Sequence, residues 1–176
     1  MNAGSVLYWA LFLAFLGRLL EFARSQRNTR ALLAAGGVES GQAQYPLFVL
    51  LHFSWFLAML LALPADAPAN WWLLGVYVLL QGLRVWSIAS LGPFYTTRII
   101  VVPGAELVRR GPYRFFRHPI YAVVTAELIV MPLAFGAVAI AVFFTLLNLA
   151  LLSARIRAEN EALRHMKEPE AKACRR

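Results

Sequence analysis

Apolar residues in this chain gather into long runs separated by short polar stretches. The first run covers 6–20, the second 45–63 and the third 71–91, and residues 119–153 are then apolar almost throughout. A membrane-spanning helix needs about 20 such residues, so the last run is too long for one crossing. Pro132 and Gly136 interrupt it and predict two short antiparallel helices, 119–131 and 137–153. The pattern therefore predicts an all-α polytopic membrane bundle of five spans, a single domain over 1–176 whose last two spans form a short hairpin. Residues 92–118 read as a long mixed loop punctuated by Pro93, Pro103, Gly104, Gly111 and Pro112. Residues 154–170 read as a polar helix with alternating charges, ahead of a basic tail. No internal repeat is visible, which argues against a transporter built from two symmetric halves.

Composition points the same way. Hydrophobic residues make up 60% and charged residues 15%, against roughly 45–50% and about 25% in soluble domains. A core this small cannot hide that excess; lipid must solvate it. The net charge of +8 invites a nucleic-acid reading, but the Arg and Lys residues crowd between the apolar runs, as in cytoplasmic loops. With the N-terminus outside and the C-terminus inside, the basic clusters all fall on the inner side. The outer connections, near Asp66 and Phe135, hold no Lys or Arg. Arg84 lies within the third span, where it snorkels or faces the bundle. Positive charge follows the first apolar run rather than preceding it, so that run is expected to stay as a span. Cys174 is the lone cysteine, so no intrachain disulfide or cysteine metal site is expected. Nor do three scattered histidines suggest a metal.

Three places carry chemistry. Glu127 lies eight residues into the fourth span, about 12 Å below its start, where a carboxylate is costly. It reads as a substrate-side group with a partner facing it, against a structural hydrogen bond or a protonated acid. In Arg114-Phe115-Phe116-Arg117-His118-Pro119-Ile120-Tyr121, Pro119 suits the first helical position. That sets His118 at the helix start, where exposed amides favour a carboxylate or phosphate; an ordinary interfacial polar residue is the plainer reading. Arg155 and Glu159 stand at i, i+4, and spacing alone favours a solvated helix end with intrahelical ion pairs.

The run Gly104–Tyr121, GAELVRRGPYRFFRHPIY, followed by two short spans and then RIRAENEAL, resembles the isoprenylcysteine carboxyl methyltransferase family. It is most similar to the small bacterial branch, whose members include enzymes methylating polyketide-derived alkylpyrones. GGVESGQAQYPLFVLLH, ending at His52, and Tyr95-Thr96-Thr97-Arg98-Ile99-Ile100 share the likeness. The resemblance implies an S-adenosyl-L-methionine-dependent methyltransferase of the bacterial inner membrane, with its active site facing the cytoplasm. It implies that Ala105, Glu106, Leu107 and Val108 hold the cofactor through backbone groups, with Tyr113 and His118, Pro119, Ile120 and Tyr121 completing the pocket. Glu159 would contact the cofactor's ammonium, with Asn160 beside it, and Arg155 would face the substrate. Two departures stand out. The second acid of the family's usual pair is Asn160 here, and Arg98 stands near a position where the eukaryotic enzymes use a different residue type. A basic residue there suits a small acidic, lipophilic acceptor better than a prenylated protein, and makes Arg98 a second candidate catalytic or substrate contact. His52, on span two, is a further substrate-side candidate or a polar contact between helices.

The rival readings are an NADPH-dependent membrane reductase on a related framework and a non-enzymatic transport or assembly protein. Such reductases normally carry more spans than this chain supplies, and no soluble nucleotide-binding loop is present.

Overall fold

The computed structural model describes residues 3–64, 66–105 and 107–173, with side chains described from Val6 to Ala162. In chain order the described elements are α1 (Ala3–Ala34), β1 (Val38–Ser40), α2 (Tyr45–Ala62), α3 (Trp71–Leu91), β2 (Ile99–Val101), α4 (Pro119–Ala134) and α5 (Val138–Ala173). Short 3-10 turns lie at Gln42–Gln44, Gly92–Phe94 and Gly111–Arg114. Four helical stretches are long and apolar enough to cross a membrane: Val6–Ala34, Gln42–Ala62, Trp71–Phe94 and Val138–Ala162. The chain is an all-α bundle of an integral membrane protein.

Four of the five expected spans are long enough by themselves, and α4 is the short one. α4 has 16 residues, about 24 Å at 1.5 Å per residue, short of the ~30 Å hydrocarbon core. It buries Val123, Glu127, Leu128, Met131, Pro132 and Ala134, so protein rather than lipid surrounds much of it. α1 also runs past its expected end near residue 20, because no proline or glycine follows until Gly36 and the polar stretch favours helix. The predicted boundary at 153/154 vanishes for the same reason: α5 is continuous, so the last pair is one short helix and one long one.

The ribbon was not legible at all. β1 and β2 pair antiparallel with Val38 opposite Val101, Glu39 opposite Ile100 and Ser40 opposite Ile99. Gly37 explains why the chain can enter it. A Cβ there would lie 2.7 Å from the Leu32 carbonyl oxygen and 2.9 Å from Ile100 Cγ2.

At the opposite end the two tight connections are tied together. The Asn70 amide donates to the Ala134 carbonyl at 2.8 Å, and Ala67 and Phe135 are buried against them. Asn70 also caps α3, its side chain accepting from the amides of Trp72 and Leu73, which satisfies donors that every helix start leaves open. Leu7, Leu51, Trp55, Met59, Leu128 and Met131 fill the core between α1, α2 and α4.

Candidate active site

Polar side chains converge at the ribbon end of the bundle, where α4 begins. His118 occupies the N-cap position of α4 without making a side-chain cap bond. Its ring instead stacks on Tyr121, with centroids 5.0 Å apart and planes 13° from parallel. The Tyr121 hydroxyl donates to Glu159 Oε2 at 2.8 Å and accepts from Arg155 Nε at 2.9 Å. His118 Nδ1 lies 3.9 Å from Glu159 Oε1. Four residues singled out in the sequence are thus one connected cluster, and its two ends differ. Glu159 and His118 are 26% and 22% exposed, whereas Arg155 is buried, its guanidinium 5.2 Å above the Phe48 ring.

The anticipated Arg155–Glu159 ion pair of a solvated helix end is not what forms. The phenol of Tyr121 stands between them, and Arg155 turns inward, donating from Nη2 to the Thr97 carbonyl at 2.8 Å. Thr97 is in turn anchored to α1. Its amide and hydroxyl each lie 2.8 Å from Ser25 Oγ, and Ser25 is buried. Asn28, one turn on, donates to the carbonyls of Gly92 and Tyr95. The far side of the same loop is fastened by Arg110 Nε, which donates to the Ser90 carbonyl at 2.7 Å. Gly111, at φ 57°, packs so close to Ser90 Oγ that any side chain would overlap it. Loop 92–118 is therefore strapped to α1 and α3 before it reaches α4.

Tyr113 sits half-buried in that loop. Burial, with Tyr121, Tyr95 and Glu159 adding to it, pushes its phenol up, so it stays neutral beside the cluster. Pro119 is buried and Ile120 and Asn160 are half-buried. Ala105 and Leu107 are exposed and Val108 half-buried, and the Ala105 amide makes a turn bond to the Val102 carbonyl. Glu106 lies outside the described residues. Arg98 leaves the cluster on the other side, pairing with Glu39 through Nη1 at 3.2 and 3.3 Å and lying 5.1 Å over the Tyr45 ring. Among the described residues no group of three His, Cys, Asp or Glu is placed to hold a metal ion.

Glu127 belongs to a second, separate cluster deeper in the bundle. Its carboxylate accepts from Arg84 Nη1 at 2.8 Å, Arg18 Nη2 at 2.9 Å and Gln81 Nε2 at 2.7 Å. Arg84 also forks onto Glu21 with two bonds of 2.6 Å, and Arg18 reaches Glu21 at 3.1 Å. Two cations and two anions balance across α1, α3 and α4. Arg84 faces the bundle rather than snorkelling, and Arg18 is a second charge within a span. His52 bonds the Phe48 carbonyl of its own helix at 2.8 Å, one turn above the ring that Arg155 covers. Sequence reading missed Ser25, Thr97, Phe48 and the Arg18–Glu21 pair. Only the last had a signal: opposite charges at i, i+3 where an apolar helix was still running.

Residues 73–165, just over half the chain, match the isoprenylcysteine carboxyl methyltransferase (ICMT) family. A Bacillus subtilis (strain 168) protein, the uncharacterised YpbQ, is 37% identical over 162 residues, covering 89% of this chain and 96% of its own. An uncharacterised Haemophilus influenzae protein is 24% identical over 157 residues, covering 85% of this chain and 90% of its own. No solved structure gives a significant match.

Proposed function

Because this chain belongs to the isoprenylcysteine carboxyl methyltransferase family, and is thereby a membrane methyltransferase, we propose that it moves a methyl group from S-adenosylmethionine to an oxygen of a lipophilic small molecule at the cytoplasmic face. The observation that carries this is the Tyr121 hydroxyl, which joins Glu159 to Arg155 across 2.8 and 2.9 Å. One connected group thereby offers a water-facing carboxylate at one end and a buried cation among aromatic rings at the other. A polar cationic donor and an apolar anionic acceptor need those opposite ends.

The residues present fit the donor. Glu159 is a partly exposed carboxylate, 26% accessible, that can pair with an ammonium, and the stacked His118 and Tyr121 rings give it an aromatic flank. Ala105, Glu106, Leu107 and Val108 would add backbone contacts, with Tyr113, Pro119, Ile120 and Asn160 around them. The bound donor supplies an electrophilic methyl on sulfur, and its transfer is an in-line displacement. Alignment alone can contribute about 7–11 kcal/mol to such a step. On the acceptor side Arg155, fixed by Thr97 and Tyr121, offsets the charge of an incoming oxyanion, while Phe48 and the buried surroundings strip its water. A carboxylate or acidic enol arrives ionised, so no general base is required. A neutral hydroxyl would need one, and His52 or His118 would be the candidate. Glu127 is a poor candidate for either substrate contact or base, because three donors already occupy it.

Ligand-induced thermal stabilisation of detergent-purified protein tests the reading. S-adenosylhomocysteine should raise the unfolding temperature and NADPH should not, and Glu159→Ala should weaken the first effect with the fold intact. A shift with NADPH alone would support a reductase, and no shift with either would remove the enzymatic reading. Mass spectrometry of methylated lipids from cells with and without the protein would then name the acceptor.

A further inference from the structure

Segment 114–117, Arg-Phe-Phe-Arg, closes the loop ahead of α4 and takes no part in the cluster around Tyr121. Phe115 and Phe116 are 71% and 67% exposed, outside the helices, where an apolar patch marks an interaction surface. Arg114 and Arg117 flank them and are exposed too, with Arg114 5.9 Å over the Phe115 ring. The depth of this patch follows from Gly111, which is wedged against Ser90 and Trp86 of α3. Trp86 is exposed on a span, five residues or about 7.5 Å before the end of α3. The amides of Phe115 and Phe116 both donate to the carbonyl of buried Pro112, at 3.1 and 3.0 Å, which keeps the two rings close to that level. The patch therefore sits at the boundary of hydrocarbon and water, where α4 enters. Its charge selects the lipid. Residues 109–117 hold four arginines, and no acid occurs between Leu107 and Ala126. Among the described residues no carboxylate pairs with Arg114 or Arg117. A zwitterionic headgroup brings an ammonium into that field. An anionic one brings only phosphate, which guanidinium groups grip through paired N–H bonds.

We propose that Arg114 and Arg117 seat the headgroup of an anionic phospholipid, with the rings of Phe115 and Phe116 among its acyl chains, and that the seated lipid steadies the entry of α4 for the cofactor. Arg117 adjoins His118, whose ring stacks on Tyr121, so a lipid that immobilises 114–117 also immobilises the aromatic flank of Glu159. By linkage, lipid and cofactor then tighten each other. The seat stands apart from the methyl-transfer reading; its coupling to the cofactor rests on that reading.

The test uses the full chain. Native mass spectrometry of detergent-purified protein titrated with phosphatidylglycerol or phosphatidylcholine gives the affinity for the first lipid bound, which should favour phosphatidylglycerol. Arg114→Gln with Arg117→Gln should weaken that binding by at least about fivefold, the worth of one arginine at an anionic surface. Arg27→Gln with Arg30→Gln, which removes equal charge from the exposed end of α1, should leave it within about twofold. Phe115→Ser with Phe116→Ser keeps every charge and should still weaken it, because the rings fix the arginines at headgroup depth. Undiminished binding in that variant, or equal losses in the two arginine pairs, overturns the seat in favour of a diffuse basic surface. S-adenosylhomocysteine affinity is then compared in nanodiscs with and without phosphatidylglycerol; the probe has no net charge, so the surface potential does not concentrate it. It should bind about fivefold tighter with the anionic lipid, and equally in both discs for Arg114→Gln with Arg117→Gln. Composition-independent affinity in the unsubstituted protein overturns the coupling. Absence of binding in both discs defeats the methyl-transfer reading instead, while the lipid titration still decides the seat. Should the arginine variant fail to fold, the phenylalanine variant decides.

Discussion

Tyr121 and Glu159, 38 residues apart in the chain, meet at 2.8 Å and lock the start of α4 to the polar half of α5. The same hydroxyl receives Arg155, so one oxygen positions both an acid and a base of opposite charge. Hydrogen bonds to charged groups contribute about 1.5–3 kcal/mol each. Tyr121→Phe should therefore lower turnover by roughly 10- to 100-fold while the protein still purifies folded. Steady-state rates with radiolabelled S-adenosylmethionine and a cellular lipid extract read this directly. A rate within twofold of the parent would show that the phenol bridges nothing that matters to the reaction.

A related expectation concerns pH. Tyr95 and Tyr113 lie in the loop outside the spans, and burial raises both phenols above their ordinary value of 10.0. A raised pKa in the fold means the folded state keeps its proton where the unfolded chain loses it. The resulting stability is complete below pH 10 and falls as pH climbs beyond it. Thermal midpoints recorded from about pH 8 to about pH 11 should drop at the alkaline end. Tyr95→Phe with Tyr113→Phe should flatten that drop; an unchanged slope would assign it to other groups.

Arg155 depends on a residue outside the matched segment 73–165. Ser25 of α1 bonds both the amide and the hydroxyl of Thr97, whose carbonyl receives Arg155. Ser25→Ala strands a partly buried amide and frees the loop, and a loss of about 1–1.5 kcal/mol in positioning corresponds to roughly tenfold in rate. Affinity for S-adenosylhomocysteine should change little, because Glu159 is not touched. Thr97→Val is the contrast: it removes the hydroxyl but keeps the carbonyl, so turnover should fall less than in Ser25→Ala. Equal losses in both variants, or a matching loss of cofactor affinity, would mean the loop as a whole had collapsed.

These relationships show why some of the architecture was readable and some was not. Runs of apolar residues announce α2 and α3 almost to the residue, because lipid imposes one length rule on every crossing. Pro132 and Gly136 announced the break before α5, and Gly136 does take a positive φ of 74° there. The end of α1 and the continuity of α5 across 153/154 were lost because polar helix formers extend a helix without any change in backbone signal. Three-residue strands such as Val38–Ser40 have too little alternation to read. In the site, His118, Tyr121, Arg155 and Glu159 could be named from a family likeness. Their connection through the Tyr121 hydroxyl, and the part played by Ser25 and Thr97, depend on backbone carbonyls and long-range packing that no spacing encodes.

The buried charges make the sharpest case for separating structure from catalysis. Glu127 holds Arg18 and Arg84 through the same oxygen, Oε2, at 2.9 and 2.8 Å, and with Glu21 the four charges sum to zero. Removing one partner of a buried pair typically costs about 3–5 kcal/mol because its counter-charge is stranded, although polar contacts between membrane helices can be worth only about 0.6–2 kcal/mol. The first figure should govern here, since Glu127→Ala leaves two cations facing one anion in a nearly dry layer. We expect a large fall in the midpoint of denaturation by sodium dodecyl sulfate. Arg84→Met combined with Glu127→Leu should recover much of it, because Arg18 and Glu21 then remain as a neutral pair at 3.1 Å. A structural cluster behaves that way in both variants. If instead Glu127→Ala keeps parental stability and S-adenosylhomocysteine binding but loses turnover, Glu127 faces the acceptor, and the substrate path must run between α1 and α4 rather than past Phe48.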